Sequence, residues 1–365
     1  MNCNTNTPGK GKRDLLPMVH ISVLNWNGYA HTISCLASLV GLDYPNFKII
    51  VVDNNSRDNS VRYIRAAYPD IIIICAEENL GYAGGHELAL NLARQANADL
   101  LWLVNTDMEF KTDTLAELVY AYLRRGEGIY GSLPLHSHDH SRIGFTAWAV
   151  DVNGKPEFSR KVLAWDQPYR EILDSGLSNA KEIQVANVHG CSMMIPLSVV
   201  KNHGFMDNSF FLYTEEYDYC FRLAKSGLPS FIVLSSVVLH GRMSNSKYSQ
   251  KLKTILEHYY MTRNFLVLKR RHWGYRACFG EILKKLKRSL KLRAKFMFSS
   301  HKFSALCPKH YYRYLGVRDA LLLRMGKTIK PGDFLDESVS KPDSFPAENS
   351  IVDKMPITNL NYKEK

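Results

Sequence analysis

Apolar and polar positions change period several times along the first hundred residues. VHISVL (19–24), KIIVVD (48–53), IIIIC (71–75) and LLWLV (100–104) are short, nearly continuous apolar runs, which predict buried strands. Between them the spacing is helical: Ile33, Leu36 and Val40 after the first run, Ser60 to Ala67 after the second, and Leu88, Leu92 and Ala96 within Ala83 to Ala96 after the third. Strands alternating with helices predict an α/β fold, a mostly parallel sheet covered by helices on both faces. Right-handed crossovers then bring the strand carboxyl ends to one edge, where ligands of open α/β sheets bind. From 130 to 190 the pattern is irregular. CSMMIP (191–196) reads as a further strand, with a helix from near Leu197. The loop GFMDNSFFLYTEEYDYC leads into a helix over Tyr217 to Lys225, and FIVL (231–234) and VVLH (237–240) close the body.

The polar residues are concentrated at the predicted strand ends. They are Asn25-Trp26-Asn27-Gly28, then Asp53-Asn54-Asn55-Ser56, then Asn79 to Gly85, then Asn105-Thr106-Asp107. Any one of these could be a turn built from Asn, Asp and Gly. Four of them on one edge predict a shared site.

Several groups there carry chemistry. Asp107 follows a buried strand, so its carboxylate either caps a turn or shares a hard divalent cation with a diphosphate. Glu215, Glu216 and Asp218 lie beside the aromatic run Phe210-Phe211-Leu212-Tyr213. Acids packed together there would raise one another's pKa, as suits a general base, although acids also favour a helix start for its dipole. His240 ends an apolar strand, and is a structural residue unless it lies near Asp107. No GxxxxGK[ST] is present, and no GxGxxG follows the first strand. Gly81, Gly84 and Gly85 precede a helix whose amino terminus could face an anion.

Composition narrows the setting. The chain has 365 residues, with 47 Lys plus Arg against 35 Asp plus Glu and a net charge of +12. Its seven cysteines, at 3, 35, 75, 191, 220, 278 and 307, form no CxxC pair, which fits a reducing compartment and excludes a zinc or disulfide framework. The polar amino terminus has no signal-peptide core, and no apolar run approaches the roughly 18 residues of a membrane span. An intracellular location is expected. Residues 269–330 hold 18 Lys or Arg and two acids, a local net of +16, so the rest of the chain sums to −4.

Taken in order, VHISVLNWNG, KIIVVDNNSRDNS, NLGYAGGHELAL, LLWLVNTD, FFLYTEEYDYCFRLAKSG and VVLHG resemble family 2 glycosyltransferases of the rhamnosyltransferase type. The likeness covers about 18 to 245 and extends to HYYMTRNFLVLKR (258–270) and GVRDALLLRMGK (316–327). It implies the GT-A fold and inverting, metal-dependent transfer from a dTDP- or UDP-sugar to a glycan or lipid-linked glycan in cell-surface polysaccharide synthesis, O-antigen included. It also implies roles. Asp53 would contact the base, with Asn25, Trp26, Asn27 and Asn55 lining the nucleotide. Asn79, Gly81, Gly84, Gly85 and Asn105 would border the donor, and Asp107 and His240 would ligate Mg²⁺ or Mn²⁺. Glu215 and Glu216 match the catalytic acid pair, with Glu216 as base where Asp is usual. The rival classes are a non-catalytic nucleotide-sugar or glycan binder and a sugar nucleotidyltransferase.

The expected organisation is a polar segment over 1–17, a GT-A domain over 18–245, a basic helical region over 246–330 and a disordered tail over 331–365. Ile282, Leu283, Leu286, Leu290 and Met297 keep helical spacing among Lys and Arg. Such a helix either lies on an anionic membrane at its cytoplasmic face or packs on the catalytic domain with its basic side solvated. Nucleic acid is the least favoured partner, since no recognised module accompanies the charge.

Overall fold

A computed structural model describes residues 16–151, 156–175, 180–241, 255–296 and 308–329, with only the backbone over 285–296. Residues 1–15 and the tail expected over 331–365 lie outside the described residues. The first half follows the apolar pattern closely. It runs β1 (Val19–Asn25), α1 (Tyr29–Leu39), β2 (Phe47–Asp53), α2 (Ser60–Ala67), β3 (Ile72–Cys75), α3 (Gly81–Gln95) and β4 (Leu100–Asn105).

The second half is less regular. β5 (Met108–Phe110) and α4 (Thr114–Arg125) precede β6 (Ile129–His136) and β7 (Asp139–Ile143). The irregular stretch then forms a hairpin, β8 (Ala147–Val150) with β9 (Pro156–Leu163), followed by α5 (Tyr169–Asp174) and β10 (Glu182–Val185). β11 (Ser192–Pro196), α6 (Leu197–His203), α7 (Glu215–Lys225) and β12 (Ser230–His240) complete the sheet domain. FIVL and VVLH are one strand, with a register irregularity between Val233 and Val237.

Among the described residues the main sheet has ten strands, in the order β10-β12-β6-β11-β4-β1-β2-β3, with β5 on β12 and β7 on β6. β3, β2, β1 and β4 are mutually parallel, and so are β6 and β12. β11 is antiparallel to both β4 and β6, so β6 and β12 regain the direction of β1. A strand buried on both faces is largely apolar, and such a run carries no sign of its direction. The mostly parallel α/β fold is as expected. β11 is the antiparallel strand inside it, and β5, β7 and β10 are antiparallel additions to β6 and β12.

β4 illustrates how both faces are buried. Leu100, Trp102 and Val104 join the cluster with Cys35, Leu36 and Leu39 of α1 and Leu115, Leu118 and Val119 of α4. Leu101 and Leu103 join the opposite cluster with Leu90 of α3, Val199 of α6 and Phe221 of α7. Each fully buried side chain of this size contributes about 1.5–3 kcal/mol, so sandwiching β4 anchors the loop that follows it.

A third cluster joins Phe210 to Leu266, Val267, Cys278 and Ile282 of α8 (Thr262–Phe296) and to Val317 and Ala320 of α9 (Pro308–Leu321). α8 is broken at Gly274, whose φ is 80°. Of the spaced apolar residues read as an amphipathic helix, Ile282 is buried in this cluster and Leu283 is exposed. The side chains of Leu286, Leu290 and Met297 lie outside the described residues.

Candidate active site

The register of the parallel strands builds the donor edge. Asn25 stands opposite Asp53, and Leu24 opposite Asn105, so three of the four polar loops leave the sheet at one level. Asn25 is wholly buried. Its amide donates to Asp53 Oδ1 at 2.7 Å and Ser56 Oγ at 3.1 Å, and its carbonyl accepts from Thr32 Oγ1 at 2.7 Å. The Ser56 N–H donates to Asp53 Oδ2 at 2.9 Å. Asn25 therefore sets the orientation of Asp53. Trp26 is half-buried at the rim and Asn27 is exposed. Asn27 ties the two loops together, its N–H donating to Ser56 Oγ and its Oδ1 accepting from the Arg57 N–H. Asn55 donates to the Glu77 carbonyl, carrying the second loop to the third.

The glycine-rich loop is spent on protein contacts. Asn54, between the predicted residues, donates to the Gly81 carbonyl at 2.9 Å and accepts from the Leu80 N–H at 2.8 Å. Asn79 Oδ1 accepts from the Gly81 N–H. A Cβ on Gly81, where φ is +75°, would lie 2.2 Å from the Phe211 carbonyl oxygen, and one on Gly85 would lie 2.4 Å from Leu24. Gly84 faces Leu80 at 3.0 Å in the same sense. These close approaches are made to the neighbouring loop and to β1. The Tyr82 N–H donates to the Phe211 carbonyl at 2.8 Å, which takes up one of the helix-start donors expected to face an anion.

On the other side of β1, chain pairing assembles the remaining polar groups. β5 runs antiparallel to the end of β12, with Met108 opposite His240. The Gly241 N–H donates to the Asp107 carbonyl, bringing Asp107 Oδ2 to 3.3 Å from His240 Nε2. Asn105 is held through its backbone, by the Cys191 carbonyl and the Cys35 thiol. His189 was not foreseen: its ring centre lies 5.8 Å from that of His240. The Cys191 N–H donates to His189 Nδ1, which leaves the neutral ring's proton on Nε2. Burial, then the neighbouring His240, push the His189 pKa down to about 4. Burial works to raise the Asp107 carboxyl, but its hydrogen bond to His240 and the two nearby imidazoles outweigh this and hold it below the usual range. The only hint of His189 in the sequence is a His-Gly pair just before a buried strand.

Asp107 and His240 fit a divalent cation. An oxygen and an imidazole nitrogen 3.3 Å apart match the roughly 3 Å between adjacent ligands of an octahedral ion with bonds of about 2.1 Å. No group of three or more His, Cys, Asp and Glu side chains forms a metal cage among the described residues, so remaining positions would fall to a diphosphate and water.

The acid pair opens α7 two residues earlier than the periodicity predicted. The loop before it is strained. Phe211 (φ 67°, ψ −63°) closes a three-residue turn, with the Leu212 N–H donating to the Phe210 carbonyl. Tyr213 (φ 66°) and Thr214 (φ 81°) are also left-handed. Such residues cost on the order of 1–3 kcal/mol each, and a β-branched Thr is rare there.

Glu215 is buried, with Oε2 lacking a hydrogen-bond partner. Burial, then the charge of Glu216, raise its pKa well above the usual range. Burial pushes Glu216 up to about 7, opposed by N–H groups at the helix start. The more deeply buried Glu215 thus keeps the proton while Glu216 titrates. Asp218 departs from the expected three-acid cluster. It turns to the other side of the helix, where Arg222 (2.9 Å), Arg271 (3.0 Å) and His272 (2.9 Å) surround it. Burial opposes ionisation, yet these partners lower its pKa. The Tyr213 phenol and the Cys191 thiol each feel both Asp107 and Glu216, so the two acids flank common ground.

An edge of this kind, with polar loops after β1, β2 and β4 and acids on both sides of it, defines a GT-A-type transferase architecture. Residues 21–203 match the model of glycosyl transferase family 2, and the chain belongs to that family. The matched stretch ends before α7. The chain is 25% identical over 182 residues to a low-salt glycan biosynthesis hexosyltransferase, Agl10, of Haloferax volcanii, covering 50% of this chain and 54% of that protein. It thus spans about half the length of that relative. It is also 24% identical over 240 residues to an uncharacterised glycosyltransferase of Rickettsia typhi, covering 64% of this chain and 68% of the relative. In fold it is similar to GalNAc-T7, solved with UDP, GalNAc and Mn²⁺, at a TM-score of 0.53 and 13% identity, covering 84% of this chain and 56% of that one.

Proposed function

We propose that the protein transfers a sugar, rhamnose among the candidates, from a dTDP- or UDP-sugar to a hydroxyl of a glycan or lipid-linked glycan, with inversion. Support for this reading comes from Glu216, raised by burial to about 7, and the Asp107–His240 pair, since Glu216 and Asp107 both act on the Tyr213 phenol and the Cys191 thiol. A base with a pKa near the working pH is half ionised yet still basic enough to take a proton. In the step itself, the acceptor hydroxyl gives its proton to the Glu216 carboxylate as its oxygen bonds the anomeric carbon. The bond from that carbon to the diphosphate oxygen breaks on the opposite face, and the electron pair leaves with the nucleoside diphosphate. Glu215, kept protonated by burial, spares Glu216 a second negative neighbour. Asp53, oriented by Asn25 and Ser56, supports recognition of the base, and Trp26 offers a ring at the rim. Asp107 and His240 would hold Mg²⁺ or Mn²⁺, whose charge, when bound, offsets that gathering on the diphosphate.

The basic region supports a peripheral seat on an anionic membrane at its cytoplasmic face. Tyr275, Phe279 and Leu283, four apart on α8, are exposed beside Arg276 and Lys284. Among the described residues no helix is long and apolar enough to cross a membrane. Co-sedimentation with anionic vesicles that weakens with salt is expected; no binding at low salt removes this element.

The test of the central reading is a thermal-shift panel of UDP-, GDP- and dTDP-sugars with and without Mn²⁺, followed by product analysis. A shift that needs a nucleotide sugar, and release of a nucleoside diphosphate lost in Glu216→Gln, is the expected result. Release of pyrophosphate instead would mark a nucleotidyltransferase, and binding without turnover a non-catalytic relative.

A further inference from the structure

Every carbonyl of the strained loop before α7 has a partner, and for Phe210 to Tyr213 a partner is distant in sequence. The Phe210 carbonyl accepts from Arg263 Nη2 at 2.7 Å and from the Asn264 amide at 3.0 Å. The same amide nitrogen lies 2.7 Å from both the Leu212 and the Tyr213 carbonyls, so its two protons serve three acceptors, one proton being shared. The Phe211 and Thr214 carbonyls go to the N–H groups of Tyr82 and Asp218. One side-chain nitrogen can reach three carbonyls in a four-residue span only when the backbone curls so that they converge. Extended or helical backbone would send them apart. The left-handed angles at Phe211, Tyr213 and Thr214 produce that convergence.

Arg263 and Asn264 are both fully buried, and they brace one another, Arg263 Nε donating to Asn264 Oδ1 at 2.8 Å. The rest of the Arg263 fork is held by the Gly326 carbonyl at 2.7 Å and Thr328 Oγ1 at 3.0 Å, and it lies over the Tyr260 ring. A packing role alone would be met by an apolar side chain of similar volume, since buried ionic groups are seldom net stabilisers. Such a residue could not hold three convergent carbonyls. Two residues after Thr214 the chain reaches Glu216.

We infer that Arg263 and Asn264 are positioning residues for the acceptor base: they hold 210–214 in its curled path and so set where the Glu216 carboxylate stands. The inference rests on Glu216 as the base. A shift of about 1 Å in such a group costs on the order of 10²-fold in rate.

The full-length chain tests this with Asn264→Ala, Asn264→Gln and Glu216→Gln. Hydrogen exchange needs no substrate: Asn264→Ala is expected to speed exchange at 211–218 at least about tenfold, with β1 and β4 unchanged. Nucleoside diphosphate release from the best donor of a panel of UDP-glucose, UDP-N-acetylglucosamine, GDP-mannose and dTDP-rhamnose should fall on the order of 10²-fold, with the donor KM little changed. Asn264→Gln, which keeps the amide, should recover part of that rate. Unchanged exchange at 211–218, or a rate within about twofold of wild type, overturns the inference. Should Asn264→Ala fail to fold, Arg263→Lys, which keeps the charge and loses the fork, is read by the same criteria. Full turnover by Glu216→Gln overturns the base reading and the catalytic half of this inference with it, whatever the exchange shows.

Discussion

Asn25 and Asp53 meet across adjacent parallel strands, 28 residues apart, in unstrained backbone whose register alone brings them together. Around Glu216 the opposite holds: three left-handed residues are kept in place by an amide 51 to 54 residues further along the chain. The donor edge follows from sheet pairing, which repeats wherever β1 and β2 form. The loop before Glu216 is an arrangement its own residues disfavour, and Arg263 and Asn264 of α8 bind its carbonyls. The difference teaches where rigidity is built in and where it is imposed. A register fixes a side chain at no cost in strain, whereas a clamp stores strain and depends on distant residues to keep it.

The comparison can be broken at four points. Glu216→Gln should lower transfer roughly 10³-fold while donor binding survives, as measured by product release and by thermal shift with nucleotide sugars. The wild-type rate should rise with pH through about 7, because only ionised Glu216 accepts a proton. A flat profile between pH 5.5 and 8.5 would speak against the base. The same group makes a stability statement. Its folded pKa lies above the unfolded value of 4.5, so the folded state binds the proton more tightly, and stability falls as pH rises from about 4.5 to about 7. Glu216→Gln should therefore melt higher than wild type at pH 8 while matching it more nearly at pH 4.5.

Gly81→Ala joins the two regions, since its methyl would strike the Phe211 carbonyl oxygen from a left-handed backbone. A loss of about 3 kcal/mol is expected in urea unfolding, and a change below about 0.5 kcal/mol would mean that the loops separate freely. Asn25→Ala leaves the buried Asp53 and Thr32 short of a partner and should cost about 1–3 kcal/mol, with weaker nucleotide binding. Unaltered affinity would detach Asp53 from nucleotide recognition. The smallest effect has the opposite sign. Thr214→Gly removes a β-branched residue from φ 81° and should stabilise by about 0.5 kcal/mol, because relief of steric strain exceeds the added chain entropy. Destabilisation there would show that the loop is held by its own side chains and not by Asn264.

Much of the donor half was legible before any coordinates. The first four strands and the four polar loops lie where the apolar runs and Asn-Gly clusters put them, because turns select small polar residues and burial forces apolar runs in β1 and β4; β3, read as buried, is instead the part-exposed edge strand. Asp107, Glu215, Glu216 and His240 stood out by residue type at strand and helix ends. Three things were not legible. The direction of β11 leaves no trace in a run buried on every side. Asp218 looked like a third member of an acidic cluster, yet helical rotation turns it to Arg222, Arg271 and His272, and two of those lie more than fifty residues on. That the glycines of the third loop admit the Phe211 carbonyl and Leu24 is likewise set by contacts between segments distant along the chain.

What the sequence determined by itself is the alternation of strands and helices, the edge at which their polar ends gather and the kinds of groups available there. Those depend on periods of two and 3.6 and on local turn chemistry, which act over a few residues. Tertiary structure alone decided that Asp107 meets His240, that His189 stands beside them and that Arg263 and Asn264 hold the loop before Glu216. Each is a contact between segments distant along the chain. Such contacts are fixed by strand order and helix packing, and no local pattern records them.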